Sequence, residues 1–164
     1  DAFSPQHCPQ LWTVEVLGSL AALLAPEGRW LSYCSAAAVR EGLRLANLNV
    51  VALATAEVEG VEGAEEGVER ADDCLKPDQS ANQRRAWSGG TLASRDALEP
   101  STVWRQLTAM EFEHLASSAG EPYRDPSSTA EAAAIQANRR EAQAASLARG
   151  ERTPSSAWRR RWGL

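Results

Sequence analysis

The sequence has few cysteines, no long apolar run and no initiator methionine. Its 164 residues include three cysteines. This odd number, without a C-x-x-C pair or a Cys/His spacing, indicates neither a disulfide framework nor a zinc site. No apolar run approaches the length of a membrane span, and the first residues resemble no secretory leader. These absences favour a cytoplasmic protein without a membrane segment or a metal, and the missing methionine suggests an incomplete chain.

The charge of the chain is unevenly distributed. The net charge is -5, which by itself does not indicate a nucleic-acid-binding protein. Residues 57–73 nevertheless form an acidic block, and residues 139–161 form an arginine-rich end. About a third of the chain is too polar and too rich in Ala, Ser, Glu and Arg to enter a core. The sequence therefore predicts a small buried part and a basic end that the net charge conceals.

Residues 11–34 show a helical pattern followed by a strand pattern. Apolar residues recur every three or four positions around and after Thr13, which is a suitable N-cap. Proline and glycine at residues 26–28 end this helix, because proline lacks an amide hydrogen and glycine accepts a positive φ. Residues 29–34 then predict a buried strand.

A second helix and two further strands follow. Ser35 is a candidate N-cap for this helix, and Asn47 is a candidate end. The predicted inward positions are Val39, Leu43 and Ala46. Strands are predicted over residues 49–55, which are β-branched and aliphatic, and over residues 87–94. Strands that alternate with helices predict an α/β fold with a doubly wound sheet.

The chain divides into two predicted parts. Residues 1–98 form the α/β part, interrupted at residues 56–86 by an acidic insert that we interpret as a disordered or loosely helical excursion. Residues 99–164 form a helical, partly disordered extension with an Arg/Trp end. In this extension residues 130–147 favour a helix that stays marginal without a partner. Its only large apolar side chains are Ile135 and Leu147.

Five short motifs stand in order near the start of the chain. They are Asp-Ala-Phe-Ser-Pro at residues 1–5, Pro-Gln-Leu-Trp-Thr at 9–13, Leu-Ala-Pro-Glu-Gly at 24–28, a strand with Tyr33, and Val-Arg-Glu-Gly-Leu at 39–43. Residues 1–46 thereby resemble the MnmC-type tRNA methyltransferase domain, with mild departures at His7, Cys8 and Glu27. The extension is similar to those of stand-alone cyanobacterial members of the family.

This resemblance implies a fold and an activity. The fold is that of a class I, Rossmann-like methyltransferase, of which the chain holds the C-terminal half, with its last two strands as an antiparallel hairpin at the sheet edge. The activity is methyl transfer from S-adenosylmethionine to the aminomethyl group of the wobble uridine, with the tRNA anticodon arm as partner. Two-domain relatives add an FAD-dependent oxidoreductase acting on CH-NH groups, and this sequence encodes no such FAD domain.

The elements that hold the cofactor in such enzymes are missing from the sequence. They are a glycine-rich turn after the first strand and an acidic residue that binds the ribose. Gly60, Gly63 and Gly67 do not form that turn, because no strand precedes them. We therefore expect an N-terminally truncated chain that is inactive alone and binds S-adenosylmethionine without useful affinity.

Five residues are candidates for the active site. By resemblance Asp1 is the catalytic candidate, since a carboxylate can orient the attacking amine or accept its proton. The candidates for substrate binding are Phe3, Pro5, Trp12 and Tyr33. Four of them have a structural alternative: Asp1 as a helix cap, Phe3 and Trp12 as core residues, and Tyr33 as a buried side chain bonded to the backbone.

Two arginine clusters beside tryptophans are candidates for RNA binding. They comprise Arg84 and Arg85 near Trp87, and Arg159, Arg160 and Arg161 between Trp158 and Trp162. Guanidinium groups bind phosphates and aromatic rings stack on unpaired bases. Alternatively, the arginines only solubilise the chain and the tryptophans pack on the domain. A non-catalytic RNA- or protein-binding fragment is accordingly the second hypothesis for function.

Overall fold

The computed structural model describes residues 4–54, 89–99 and 101–164, so the predicted insert at 56–86 lies outside the described residues. Within them are four strands and five helices. The strands are β1 (Arg29–Ser32), β2 (Asn49–Leu53), β3 (Gly90–Ser94) and β4 (Trp104–Arg105). The helices are α1 (Val14–Leu23), α2 (Ala37–Leu45), α3 (Ala109–Ala116), α4 (Ala132–Ala148) and α5 (Ser155–Trp162). Two 3-10 turns, Pro9–Trp12 and Ser118–Gly120, complete the set.

The four strands form one sheet in the order β1-β3-β2-β4. Strand β3 is antiparallel to both β1 and β2, with Leu92 opposite Leu31 on one side and opposite Val51 on the other. Because β3 is antiparallel to both neighbours, β1 and β2 are parallel to each other, and α2 connects them as a crossover. The predicted α/β architecture is confirmed.

The position of β3 differs from the expected hairpin at the sheet edge. The antiparallel pair of β2 and β3 is present, but β3 lies inside the sheet and every one of its residues is buried. Strand β4 takes the edge beside β2. The physical reason is that β1 and β2, although joined by α2, leave room for one strand between them, and β3 satisfies the backbone groups of both.

Local signals at the helix ends are largely confirmed. The Val16 amide donates to Thr13 Oγ1 at 3.4 Å, so Thr13 is the N-cap of α1. Asn47 follows α2 with a φ of 59°, the left-handed conformation that ends helices. The prediction for Ser35 is wrong, because α2 begins at Ala37 and its N-cap position is Ala36, without a side-chain bond. The Thr91 hydroxyl donates to the Cys34 carbonyl oxygen at 2.7 Å, which holds this segment extended.

The hydrophobic core contains residues from both predicted parts of the chain. Helix α2 packs on β2 and on α1, and the segment from residue 107 to residue 135 completes the same cluster. Its large buried members are Trp12, Leu17, Val39, Leu43, Leu48, Val50, Leu107, Leu115, Tyr123 and Ile135. Residues 1–98 and 99–164 therefore share one core among the residues described.

Helix α4 is docked more firmly than its composition predicts. Ile135 is fully buried in the shared core. Polar side chains of the helix bind backbone carbonyl oxygens of the loops beneath it: Gln143 donates to Ser118 at 2.7 Å and Arg139 donates to Glu121 at 2.6 Å. The Arg139 guanidinium also lies 4.6 Å from the centre of the Tyr123 ring. Helix α4 therefore packs on the domain itself, which is the partner that the sequence did not identify.

Replacing Ile135 by alanine tests whether α4 belongs to the core. We expect a loss of about 2–5 kcal/mol in the free energy of unfolding, because the change leaves a cavity at a fully buried position. Urea unfolding followed by tryptophan fluorescence measures it. Leu147→Ala on the same helix is the control, since Leu147 is only half-buried. Equal, small effects of the two substitutions would show that α4 is not part of the core.

Candidate active site

The carboxyl ends of β1 and β2 lie at the same edge of the sheet, because the two strands are parallel. In open α/β sheets ligands bind outside this edge. Tyr33 follows directly after β1, and its side chain is 82% exposed. The structure thus places Tyr33 at this edge with its side chain exposed, and not in the buried position of the structural alternative. Its role in substrate binding stays a prediction.

The turn after β1 is fixed by a chain of hydrogen bonds. The Cys34 amide donates to Ser32 Oγ at 2.9 Å, and the Thr91 hydroxyl donates to the Cys34 carbonyl oxygen. Arg40 in turn donates to Thr91 Oγ1 at 2.9 Å and to the Gly90 carbonyl oxygen at 3.0 Å. At Gly90 a Cβ atom would lie 2.3 Å from the Ser32 carbonyl oxygen, so only glycine fits. The backbone beside Tyr33 is therefore rigid.

Arg40 also forms a buried ion pair that the sequence did not reveal. Its Nη1 lies 3.0 Å from Glu111 Oε1, and both side chains are almost completely buried. Glu111 Oε2 accepts from Arg105 Nη1 at 2.6 Å and from the Thr108 amide at 2.9 Å. Burial opposes ionisation of Glu111, but the bonds from Arg105, Thr108 and Arg40 together hold its pKa below the usual value. Burial lowers the pKa of Arg40, against the opposing effect of Glu111.

The N-terminal loop is packed against the rest of the domain. Pro5 is buried, and Trp12 is 4% exposed with its ring edge-to-face on Trp30 at 6.2 Å between ring centres. The Gln6 carbonyl oxygen accepts from Gln136 of α4 at 2.7 Å. The structure therefore places Trp12 in the core, where its structural alternative had it. Roles of Pro5 and Trp12 in substrate binding stay predictions.

Four of the predicted site residues lie outside the described residues. They are Asp1, Phe3, Arg84 and Arg85. The roles assigned to them stay predictions. Within residues 4–54, 89–99 and 101–164, no group of three or more His, Cys, Asp or Glu side chains could hold a metal ion. In the same ranges no helix is both long enough and apolar enough to cross a bilayer.

The two tryptophans at the end of the chain pack on α3. Trp158 is 5% exposed, and its indole N–H donates to the Met110 carbonyl oxygen at 3.0 Å. Its ring stacks on His114 with 4.0 Å between ring centres. The indole N–H of Trp162 donates to Glu113 Oε2 at 2.9 Å. Packing on the domain, the alternative considered for these rings, is what the structure shows.

The three arginines of α5 are exposed, in contrast to the tryptophans beside them. They are Arg159, Arg160 and Arg161. Only Arg161 has an ion-pair partner among the described residues, Glu113, at 3.3 Å. The guanidinium groups are thus presented to solvent while the rings are not. Binding of RNA by these arginines stays a prediction.

Comparisons with known proteins agree with this geometry. Residues 1–57 match the model of a family described as S-adenosyl-L-methionine-dependent methyltransferase. The crystal structure of MnmC2 from Aquifex aeolicus is similar to 85% of this chain, with a TM-score of 0.56 and 25% sequence identity. The described part of the chain is thus similar to an MnmC-like methyltransferase domain. It spans 35% of the length of the Aquifex aeolicus chain. A comparison with curated proteins gave no match.

The comparisons confirm the resemblance to an MnmC-like domain that was drawn from the five motifs. The motifs did not reveal the buried network. Arg40 belongs to the Val-Arg-Glu-Gly-Leu motif, so its position was visible in the sequence. Its partner Glu111 lies 71 residues further along the chain. The only local signal at Glu111 was a capping box, in which Thr108 caps α3 and Glu111 bonds back to it.

Glu111→Gln tests the buried ion pair of the MnmC-like domain. The amide keeps the shape of the side chain but leaves Arg40 charged and buried without a counter-ion, so we expect a loss of about 3–5 kcal/mol in the free energy of unfolding. Glu113→Gln on the same helix is the control, with an expected loss of about 1 kcal/mol or less because Glu113 is partly exposed. Chemical denaturation of both variants measures this. Equal losses would contradict the assignment.

The pH dependence of stability tests the stack of His114 on Trp158. Burial, followed by the positive charges of Arg40 and Arg159, lowers the pKa of His114 from 6.5 to about 4, against the opposing effect of Glu111. The unfolded chain therefore binds this proton more readily, so the stabilisation is complete above about pH 6.5 and is lost as the pH falls towards 4. We expect His114→Phe to reduce this loss in urea midpoints measured between pH 4 and 7. An NMR titration midpoint of His114 near 6.5 would contradict it.

Proposed function

We propose that the protein to which these residues belong transfers a methyl group from S-adenosylmethionine to the aminomethyl group of the wobble uridine in the anticodon arm of a tRNA. The observation that carries this proposal is the match of residues 1–57 to a family of S-adenosylmethionine-dependent methyltransferases. The similarity to MnmC2 from Aquifex aeolicus supports it. The second hypothesis, a non-catalytic binding fragment, is not favoured by these findings.

The described residues fit a cofactor or substrate at the carboxyl edge of the sheet in one respect. Tyr33 is exposed there on a turn whose backbone is fixed by Thr91 and Arg40. A fixed backbone positions a side chain before the ligand binds, so the backbone does not have to be ordered on binding. In this proposal Tyr33 contacts the ligand at this edge, and Phe3, Pro5 and Trp12 contribute to substrate binding, as the resemblance implies.

The chemistry requires that an amine be held in line with the methyl group and lose a proton. S-adenosylmethionine supplies a methyl group on a positively charged sulfur. The bond from the amine nitrogen to the methyl carbon forms while the bond from sulfur to that carbon breaks. In this proposal the Asp1 carboxylate orients the amine and accepts its proton.

Asp1→Asn tests this role directly. The amide preserves the shape of the side chain but cannot accept the proton, so we expect methyl transfer to fall by about 100-fold or more with the fold intact. Transfer of labelled methyl from S-adenosylmethionine to tRNA carrying the aminomethyl uridine measures the rate. Asp96→Asn is the matched control. Asp96 is exposed and follows the end of β3 that pairs with the start of β1, so it lies at the edge of the sheet opposite to Tyr33.

Each outcome of this assay has a distinct meaning. A wild-type rate in Asp1→Asn would reduce Asp1 to a structural cap and leave methyl transfer in place. An equal loss in Asp1→Asn and Asp96→Asn would show that the effect does not come from the reacting amine. Absence of any methylated uridine in the products of the wild-type protein, analysed by mass spectrometry, would overturn the proposed function.

A further inference from the structure

The end of the chain has a charge opposite to that of the whole. The net charge of the protein is -5, yet residues 132–164 contain seven arginines and only two acidic residues, both glutamates. A local excess of guanidinium groups on an acidic protein favours a localised anion-binding surface over a general affinity for polyanions. The question for the structure is which of these arginines are available.

The three arginines of α5 differ in their partners. Trp158 and Trp162 are four residues apart and lie on the same face, which is turned towards α3. At about 100° per residue, Arg160 lies opposite this face, and Arg159 and Arg161 lie on its two sides. All three arginines are exposed; Arg161 pairs with Glu113, whereas Arg159 and Arg160 have no acidic partner within the described ranges.

The tryptophans fix α5 on the domain. Both indole N–H groups are already bonded to α3, and the ring of Trp158 is buried against His114. The ring of Trp158 therefore cannot stack on an unpaired base unless α5 leaves the domain. The two tryptophans hold the helix, and the helix holds the guanidinium groups of Arg159 and Arg160 on the surface of the domain.

We propose that Arg159 and Arg160 form a phosphate-binding surface for the tRNA backbone, anchored by Trp158 and Trp162, with no stacking of Trp158 on bases. The proposal deepens the proposed function, because it rests on tRNA as the substrate. Guanidinium groups bind phosphate through two parallel hydrogen bonds. A membrane surface is the weaker partner, since Trp158 of α5 is buried against α3 and cannot insert into lipid.

The test removes the two outward charges and compares the result with a charge-matched control. The test variant is Arg159→Gln with Arg160→Gln. The control variant is Arg149→Gln with Arg161→Gln, which removes two arginines that are paired with Glu151 and Glu113. Binding of a tRNA transcript is measured over a series of salt concentrations, and thermal melting verifies that both variants are folded.

We expect the test variant to bind tRNA more weakly and to reduce the slope of log affinity against log salt by about two, roughly one for each lost phosphate contact. The control variant should change the slope much less. An unrelated RNA of the same length should lose the same affinity, because phosphate contacts carry no base sequence. Trp162→Leu, which keeps both arginines, should retain the wild-type slope, because the slope counts phosphate contacts.

Four results would overturn the proposal. They are an unchanged slope in the test variant, an equal change in both double variants, failure of the wild-type protein to bind tRNA, and tighter binding to acidic peptides or anionic vesicles than to tRNA at the same ionic strength. Methylation of a minimal aminomethyl-uridine nucleoside keeps the two proposals apart. If the wild-type protein methylates it and the slopes do not change, only the surface is wrong; if it methylates nothing but the slopes change as expected, only the activity is wrong.

Discussion

The buried pair of Arg40 and Glu111 ties together elements that are distant in the sequence. Arg40 lies on α2 and donates to β3 through Thr91 and Gly90, while Glu111 lies on α3 and accepts from Arg105 on β4. Removing two charges from water costs several kcal/mol per ion unless their bonding groups are satisfied. The fold therefore requires β3, β4 and α3 in these places before Arg40 can be buried.

The same network gives the candidate site its combination of rigidity and exposure. Thr91 receives a hydrogen bond from Arg40 and passes one on to the Cys34 carbonyl oxygen, beside the exposed Tyr33. A side chain that contacts a ligand needs a backbone fixed by residues behind it. In this domain the residues behind the turn come from α2 and β3, and α3 holds them through Glu111. The C-terminal segment thus supports the edge of the sheet beside Tyr33.

Sequence reasoning succeeded where the determining interactions are local. Thr13 and Asn47 act within one helical turn, and the motifs of residues 1–46 lie within one short stretch, so both were readable. The insertion of β3 between β1 and β2 depends on pairing between strands that are far apart in the sequence, since β2 ends at residue 53 and β3 begins at residue 90. Such long-range pairing leaves no periodic signal in either strand. The burial of Ile135 depends on a loop more than 100 residues away. One isoleucine in an alanine-rich helix gives the same sequence pattern whether or not another part of the domain packs against it.

At the end of the chain, packing decides between two roles that the same residues allow. Arginine next to tryptophan suits both base stacking and docking, and here both indole N–H groups are bonded to α3, which selects docking. Docking also depends on the buried network, because burial and the nearby charge of Arg40 keep His114 neutral. A neutral imidazole can stack flat on Trp158 without bringing another positive charge towards Arg40 and Arg159. The ion pair that holds α3 in the core therefore also affects the surface of α3 on which α5 packs.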